Sequence, residues 1–129
     1  MLPKTKIKES NVLIALLLCF FTVGLYYPFW QYKQMKVTNK LLGSDEHSYV
    51  SWLFFSIITL GLYHLYHEYR SSQTISELSA KYMLGQKDEN YPIFCLGISL
   101  IGGFLISDMI HQDDLNKIVR KYNQAILEL

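Results

Sequence analysis

The residues best suited to chemistry fall in two short clusters. His64 and His67 stand three positions apart with Glu68 beside them. On a helix that spacing sets two imidazoles on one face, as a metal site requires. Asp108, His111, Asp113 and Asp114 form the second cluster. Both have plainer readings. His64 and His67 occupy the places of Tyr27 and Trp30 in a repeat described below, so they read as interfacial substitutions. Acidic side chains at 108–114 suit the start of a helix through its dipole. Cys19 and Cys95 sit in apolar runs and read as buried thiols. No GxGxxG, P-loop, CxxC, HExxH or GxSxG pattern is present. Twelve Lys and Arg against eleven Asp and Glu leave a net charge of +1, no electrostatic footprint for nucleic acid. The expectation is a non-enzyme with no catalytic residue, cofactor or metal.

The elements that position these residues are apolar. None of the charged residues lies in 10–32, 47–67 or 90–107, stretches of 23, 21 and 18 residues. At 18% charge those stretches would carry about 11 charges. Each reaches the length of a membrane-spanning helix, roughly 17–25 residues. The expected class is all-α: one integral membrane domain of three apolar segments, each followed by an amphipathic helix. Its units are 10–43, 47–85 and 90–129. Asn11 to Thr22 covers only about 18 Å of helix, too short to cross alone. The segments therefore read either as kinked full spans, the favoured form, or as re-entrant hairpins that dip in and turn at a glycine.

The first two segments repeat at an offset of 37 residues. Phe21-Thr22-Val23-Gly24-Leu25-Tyr26 matches Ile58-Thr59-Leu60-Gly61-Leu62-Tyr63, and six of 18 positions are identical over 16–33. The third segment keeps a weaker echo around Gly102 and Gly103. Self-similarity at a fixed period points to stacked equivalent units. Thr22 and Thr59 can bond back to the carbonyl four residues earlier and bend the helix. Gly24 and Gly61 can let neighbouring helices approach. Thr22, Gly24, Tyr26, Thr59, Gly61, Tyr63, Gly102 and Gly103 thus form the expected kink and packing motif. Tyr26, Tyr27, Trp30 and Tyr32, with Tyr63, Tyr66 and Tyr69, read as an interfacial belt.

Leu115, Ile118, Tyr122, Ala125 and Leu129 follow a 3-4-3-4 spacing, a seam for a second helix. They are the expected face of a homo-oligomer; packing on the chain itself is the alternative. Every flank carries three positive residues, so the positive-inside rule ties if the segments alternate.

The Thr-x-Gly-Leu-Tyr segment with its following Trp30 resembles an uncharacterised family of small prokaryotic membrane proteins, a domain of unknown function. Thr22, Gly24, Leu25, Tyr26 and Trp30 carry the likeness, with Thr59, Gly61, Leu62 and Tyr63 in the second unit. Gln112-Asp113-Asp114-Leu115-Asn116-Lys117 resembles the family's end segment. His67 replaces the second aromatic, and the third unit lacks Thr and Tyr. The resemblance implies a membrane location and no activity. Two expectations follow. The leading one is a non-enzymatic membrane scaffold, homo-oligomeric and lipid-embedded, in the inner membrane if the source is bacterial. The other is a small sensor, channel or transporter subunit that binds a lipid or a protein partner.

Overall fold

The chain turns back where threonine and glycine stand together. In the computed structural model, which describes residues 5–128, helix α1 (Val12–Phe21) ends at Thr22. The Thr22 hydroxyl donates to the Leu18 carbonyl at 2.6 Å and accepts from the Tyr26 N–H at 3.0 Å. Val23 and Gly24 take φ of 54° and 84°, and the Gly24 N–H reaches the Cys19 carbonyl at 2.8 Å. Left-handed residues of this kind end helices. Helix α2 (Tyr27–Leu42) then sets off.

One unit later the same turn recurs. Helix α3 (Tyr49–Ile58) ends at Thr59, whose hydroxyl donates to the Phe55 carbonyl at 2.7 Å and accepts from Tyr63 N–H at 2.9 Å. Leu60 and Gly61 take φ of 53° and 93°, and Gly61 N–H meets the Ser56 carbonyl at 2.7 Å. Helix α4 (Leu62–Lys81) follows. In the third unit, α5 (Tyr91–Ile98) and α6 (Phe104–Leu127) are joined by a π-type turn, Ser99–Gly103. The Tyr91 hydroxyl donates to Asp114 at 2.7 Å and its ring faces His111. Helices α5 and α6 therefore lie side by side, and this unit reverses too.

Kinked full spans are thus not what forms. Helices α1 and α3 have 10 residues each, about 15 Å of rise against roughly 30 Å of hydrocarbon. Among the described residues no helix is long and apolar enough to cross a membrane. The reason is local. Two consecutive left-handed residues redirect the chain, whereas a kink needs only one lost hydrogen bond. Pro28 adds no break, because it sits in the first turn of α2, where its missing N–H is not needed. Gly24 and Gly61 also differ from expectation. A Cβ on either would meet nothing within 4 Å, so backbone conformation rather than close approach requires glycine. Gly103 does pack closely, its hypothetical Cβ 2.8 Å from Ile98. Helix α3 is capped by Ser48, which accepts from Ser51 N–H.

The second helices of the three hairpins pack together, and equivalent positions meet. Tyr27, His64 and Phe104, spaced by 37 and 40 residues, lie with ring centroids 5.5–6.1 Å apart. At the same spacing farther down, Leu41, Leu78 and Ile118 share one apolar core with Ile7, Ile75, Leu115, Val119 and Tyr122. Since Tyr27, His64 and Phe104 each open a second helix, the three turns lie at one end of the molecule. The loops 43–48 and 82–90 lie at the other. The N-terminal segment runs along α6: Ile7 exchanges two backbone hydrogen bonds with the Asn123 amide, and Ser10 two with Asn116.

This core corrects the reading of the C-terminal seam. Leu115, Ile118 and Tyr122 are buried inside their own chain and are not free for a second copy. The third-unit positions needed cover from α2 and α4, and the chain supplies it. Ala125 is exposed, and Leu129 lies outside the described residues.

Candidate functional site

Immediately below the turns, the interior is polar. Gln31 on α2, Glu68 on α4 and Asp108 on α6 occupy equivalent places and are fully buried. Their helices turn the same face inward, so the three side chains converge. Gln31 Nε2 donates to Asp108 Oδ1 at 2.7 Å. The Tyr27 hydroxyl donates to Asp108 Oδ2. Ser107 Oγ donates to Glu68 Oε2 at 2.7 Å. Gln34 Nε2 donates to the Asp108 carbonyl at 3.1 Å.

Proton positions follow from the donors. The Trp52 indole N–H donates to His64 Nδ1 at 3.0 Å, which places the His64 proton on Nε2. That N–H faces the Tyr27 oxygen at 2.7 Å and lies 3.5 Å from Glu68 Oε1. Ser72 Oγ donates to the Glu68 carbonyl at 2.9 Å, so the 2.7 Å contact between Ser72 and His111 Nε2 is a donation from the imidazole. The lone pair of His111 is then on Nδ1, 3.7 Å from Glu68 Oε2.

Charge in this dry interior is costly. Burial, and next the Asp108 charge, push the Glu68 carboxyl well above its ordinary range. Burial raises Asp108 to about 6, while hydrogen bonds from Tyr27, Glu68 and Gln31 pull it back. Burial lowers His111 to about 4, so it is neutral. The cluster can therefore hold one proton between two carboxyls, or bind a cation through its imidazoles and carboxylates.

The polar cluster has an apolar roof. Val23, Leu60 and Ile101, one per turn, are 92%, 95% and 90% exposed. Phe20, Phe21, Leu25, Ile57, Ile58, Leu62 and Leu100 around them are exposed as well. A cavity of about 960 Å³ opens between α1 and the start of α6, lined by Leu16, Phe20, Val23, Tyr27, Phe104 and neighbours.

The motif residues take definite places here. Thr22, Gly24, Thr59 and Gly61 build the turns; Gly102 and Gly103 lie in the third. Tyr26 receives the Lys33 ammonium at its hydroxyl at 3.2 Å, and Tyr63 packs on Phe55. The two histidines read as a pair separate in role: His64 joins the cluster, whereas His67 packs between His47 and Trp52. Asp108 and His111, read as part of a helix start, lie at its centre. Asp113 stays at the surface, in a 2.7 Å ion pair with Lys117. Gln31 and Ser107 were not singled out by sequence, and Glu68 was read only beside His64 and His67. The signal was there: 104, 108, 111, 115, 118 and 122 continue one helical face, and Gln31 aligns with Glu68 at the repeat offset. No protein-family model, characterised protein or solved structure matches the chain.

Proposed function

We propose that this protein is a non-enzymatic scaffold embedded in one leaflet of a membrane. Three apolar turns dip into the lipid, and the amphipathic second helices rest at its surface. The observation that carries the reading is the trio Val23, Leu60 and Ile101, almost wholly exposed at one end. Exposed apolar patches of this extent mark membrane or protein contact surfaces. Tyr26 and Tyr63 directly follow the first two turns, and tyrosine favours the lipid–water boundary. All twelve Lys and Arg lie outside the three apolar stretches. A hairpin arrangement puts every flank on one side, and the equal share of positive residues on each flank supports a cytoplasmic placement for all of them. The resemblance to small prokaryotic membrane proteins agrees with this placement.

Self-association, on this reading, uses the outward faces of α1 and α3, since the α6 seam is occupied within the chain. The test is flotation of the purified protein with vesicles of neutral and anionic lipid, together with carbonate extraction from cell membranes. Co-flotation and resistance to carbonate are expected. A protein that stays behind as a monodisperse species without lipid or detergent contradicts the proposal.

A sensor or transporter subunit is the second reading. The observation favouring it is the buried set of Glu68, Asp108, His64 and His111, more polar than a scaffold needs.

A further inference from the structure

We infer that the buried cluster beneath the turns is a divalent transition-metal site, with Glu68, Asp108, His64 and His111 as its ligands. The inference stands on the cluster's geometry and does not depend on membrane placement. His64, Glu68 and Asp108 each offer a ligand atom, all within 4.8 Å of one another. His64 Nε2 and Glu68 Oε1 are 3.5 Å apart. Two ligands of a tetrahedral zinc, at metal distances of about 2.0–2.1 Å, stand about 3.3 Å apart. That pair is already close to the required separation; Asp108, and His111, which lies outside the trio with Nδ1 3.7 Å from Glu68 Oε2, must close in as the ion binds.

The second observation is a set of buried polar atoms without partners. Gln31 Oε1, Glu68 Oε1 and His111 Nδ1 are buried and make no hydrogen bond. A buried polar atom without a partner is normally avoided. Three such atoms around one carboxylate pair are what a cation satisfies. His111 is prepared for it. Its Nε2–H is held by Ser72, which fixes the lone pair on Nδ1 toward Glu68. A hydrogen bond from the far ring nitrogen is the usual support of a metal-bound histidine. Two imidazoles with two carboxylates suit zinc, cobalt, manganese or iron rather than calcium or magnesium, which prefer all-oxygen sites.

Two contacts of His64 work against loading: the Tyr27 oxygen, 2.7 Å from Nε2, must give way to the ion, and the Trp52 contact makes loading visible. Trp52 donates to His64 Nδ1. When Nε2 takes the metal, the imidazole proton moves to Nδ1 and faces the indole N–H donor to donor. Trp52 must then turn aside.

The experiment uses the full chain in mild detergent, stripped with a chelator and titrated with Co²⁺, then with Zn²⁺ in competition. The expected result is one equivalent bound, visible d–d absorption of a four-coordinate site, and a change in Trp52 emission absent from Trp52→Phe. Glu68→Gln abolishes uptake. Ser72→Ala, a milder change that frees His111, weakens it by about 10- to 100-fold. Trp52→Phe tightens it, and the surface variant Asp113→Asn leaves it unchanged. The inference is overturned if neither ion binds stoichiometrically. It is also overturned if binding survives in Glu68→Gln, or if Ser72→Ala and Asp113→Asn bind alike.

Discussion

The two ends of the hairpin bundle invert each other. Away from the turns, Leu41, Ile75, Leu78, Leu115 and Ile118 are buried under polar surface, the ordinary arrangement in water. At the turns, Glu68, Asp108, Gln31 and His111 are buried while Val23, Leu60, Phe20 and Ile101 face outward. One chain thus has an apolar core at one end and an apolar surface at the other, along the same three helices. The difference teaches that a single solvent does not account for both ends. Apolar burial stabilises the lower end by about 1.5–3 kcal/mol per large side chain. At the upper end, hydrogen bonds among buried groups hold the helices, and the outward apolar groups gain only where lipid or another apolar surface meets them.

The largest expected contrast is between charges placed at the two ends. Ile118 is fully buried in the lower core. Ile118→Glu should unfold the protein, because an unpaired charge there has no partner, and Ile118→Ala should cost about 2–4 kcal/mol in denaturant unfolding. Ile57→Ala, at an exposed upper position, should stay within about 0.5 kcal/mol. Equal losses at both positions would erase the distinction between the ends.

Next in size is the tip. Val23→Lys with Leu60→Lys should leave folding intact yet remove vesicle flotation, at about 2–3 kcal/mol per residue on insertion scales. Met83 makes the sharp control. It is 90% exposed with positive φ, like Val23 and Leu60, but lies beyond α4 at the far end. Met83→Lys should float as wild type.

A smaller effect concerns the turns themselves. Gly24→Ala and Gly61→Ala should each cost about 1–2 kcal/mol, the penalty of a left-handed conformation. Gly24→Leu should cost no more than Gly24→Ala, because the space is open. A much larger loss for leucine would restore close helix approach as the reason for glycine.

The smallest effect is in pH. Glu68 is raised above its unfolded value of 4.5, so the folded state holds the proton more tightly. Its stabilising contribution is complete below that value and is lost as pH rises through the folded pKa. Asp108 acts in the same direction from 3.8 up to about 6. Melting temperatures measured between about pH 5 and 8 should fall less steeply in Glu68→Gln than in wild type. An identical slope would mean that Glu68 is not the protonated partner.

Much of this was legible in the residues. The 37-residue repeat foretold one turn built twice, down to the threonine bonds to Leu18 and Phe55. What the repeat could not decide was kink or reversal. That depended on Val23 and Leu60 taking φ above 50°, a conformation β-branched and leucine side chains seldom adopt. The seam 115–122 was visible as a face, but periodicity cannot say whether the covering helix belongs to the same chain. Two halves of the polar cluster were visible, His64 with Glu68 and Asp108 with His111, but their convergence was not, because they sit on different helices. Only packing α2, α4 and α6 brings Gln31, Glu68 and Asp108 together.

The most direct test of placement asks which side of a membrane the loops occupy. Ser44 and Gln86 are exposed in the loops after α2 and α4. Single cysteines there, in a Cys19→Ser and Cys95→Ser background, can be reacted with an impermeant thiol reagent in sealed, oriented membranes. Three one-leaflet hairpins predict that both positions label from the same side. Labelling from opposite sides would contradict the hairpin placement and require the chain to cross between them.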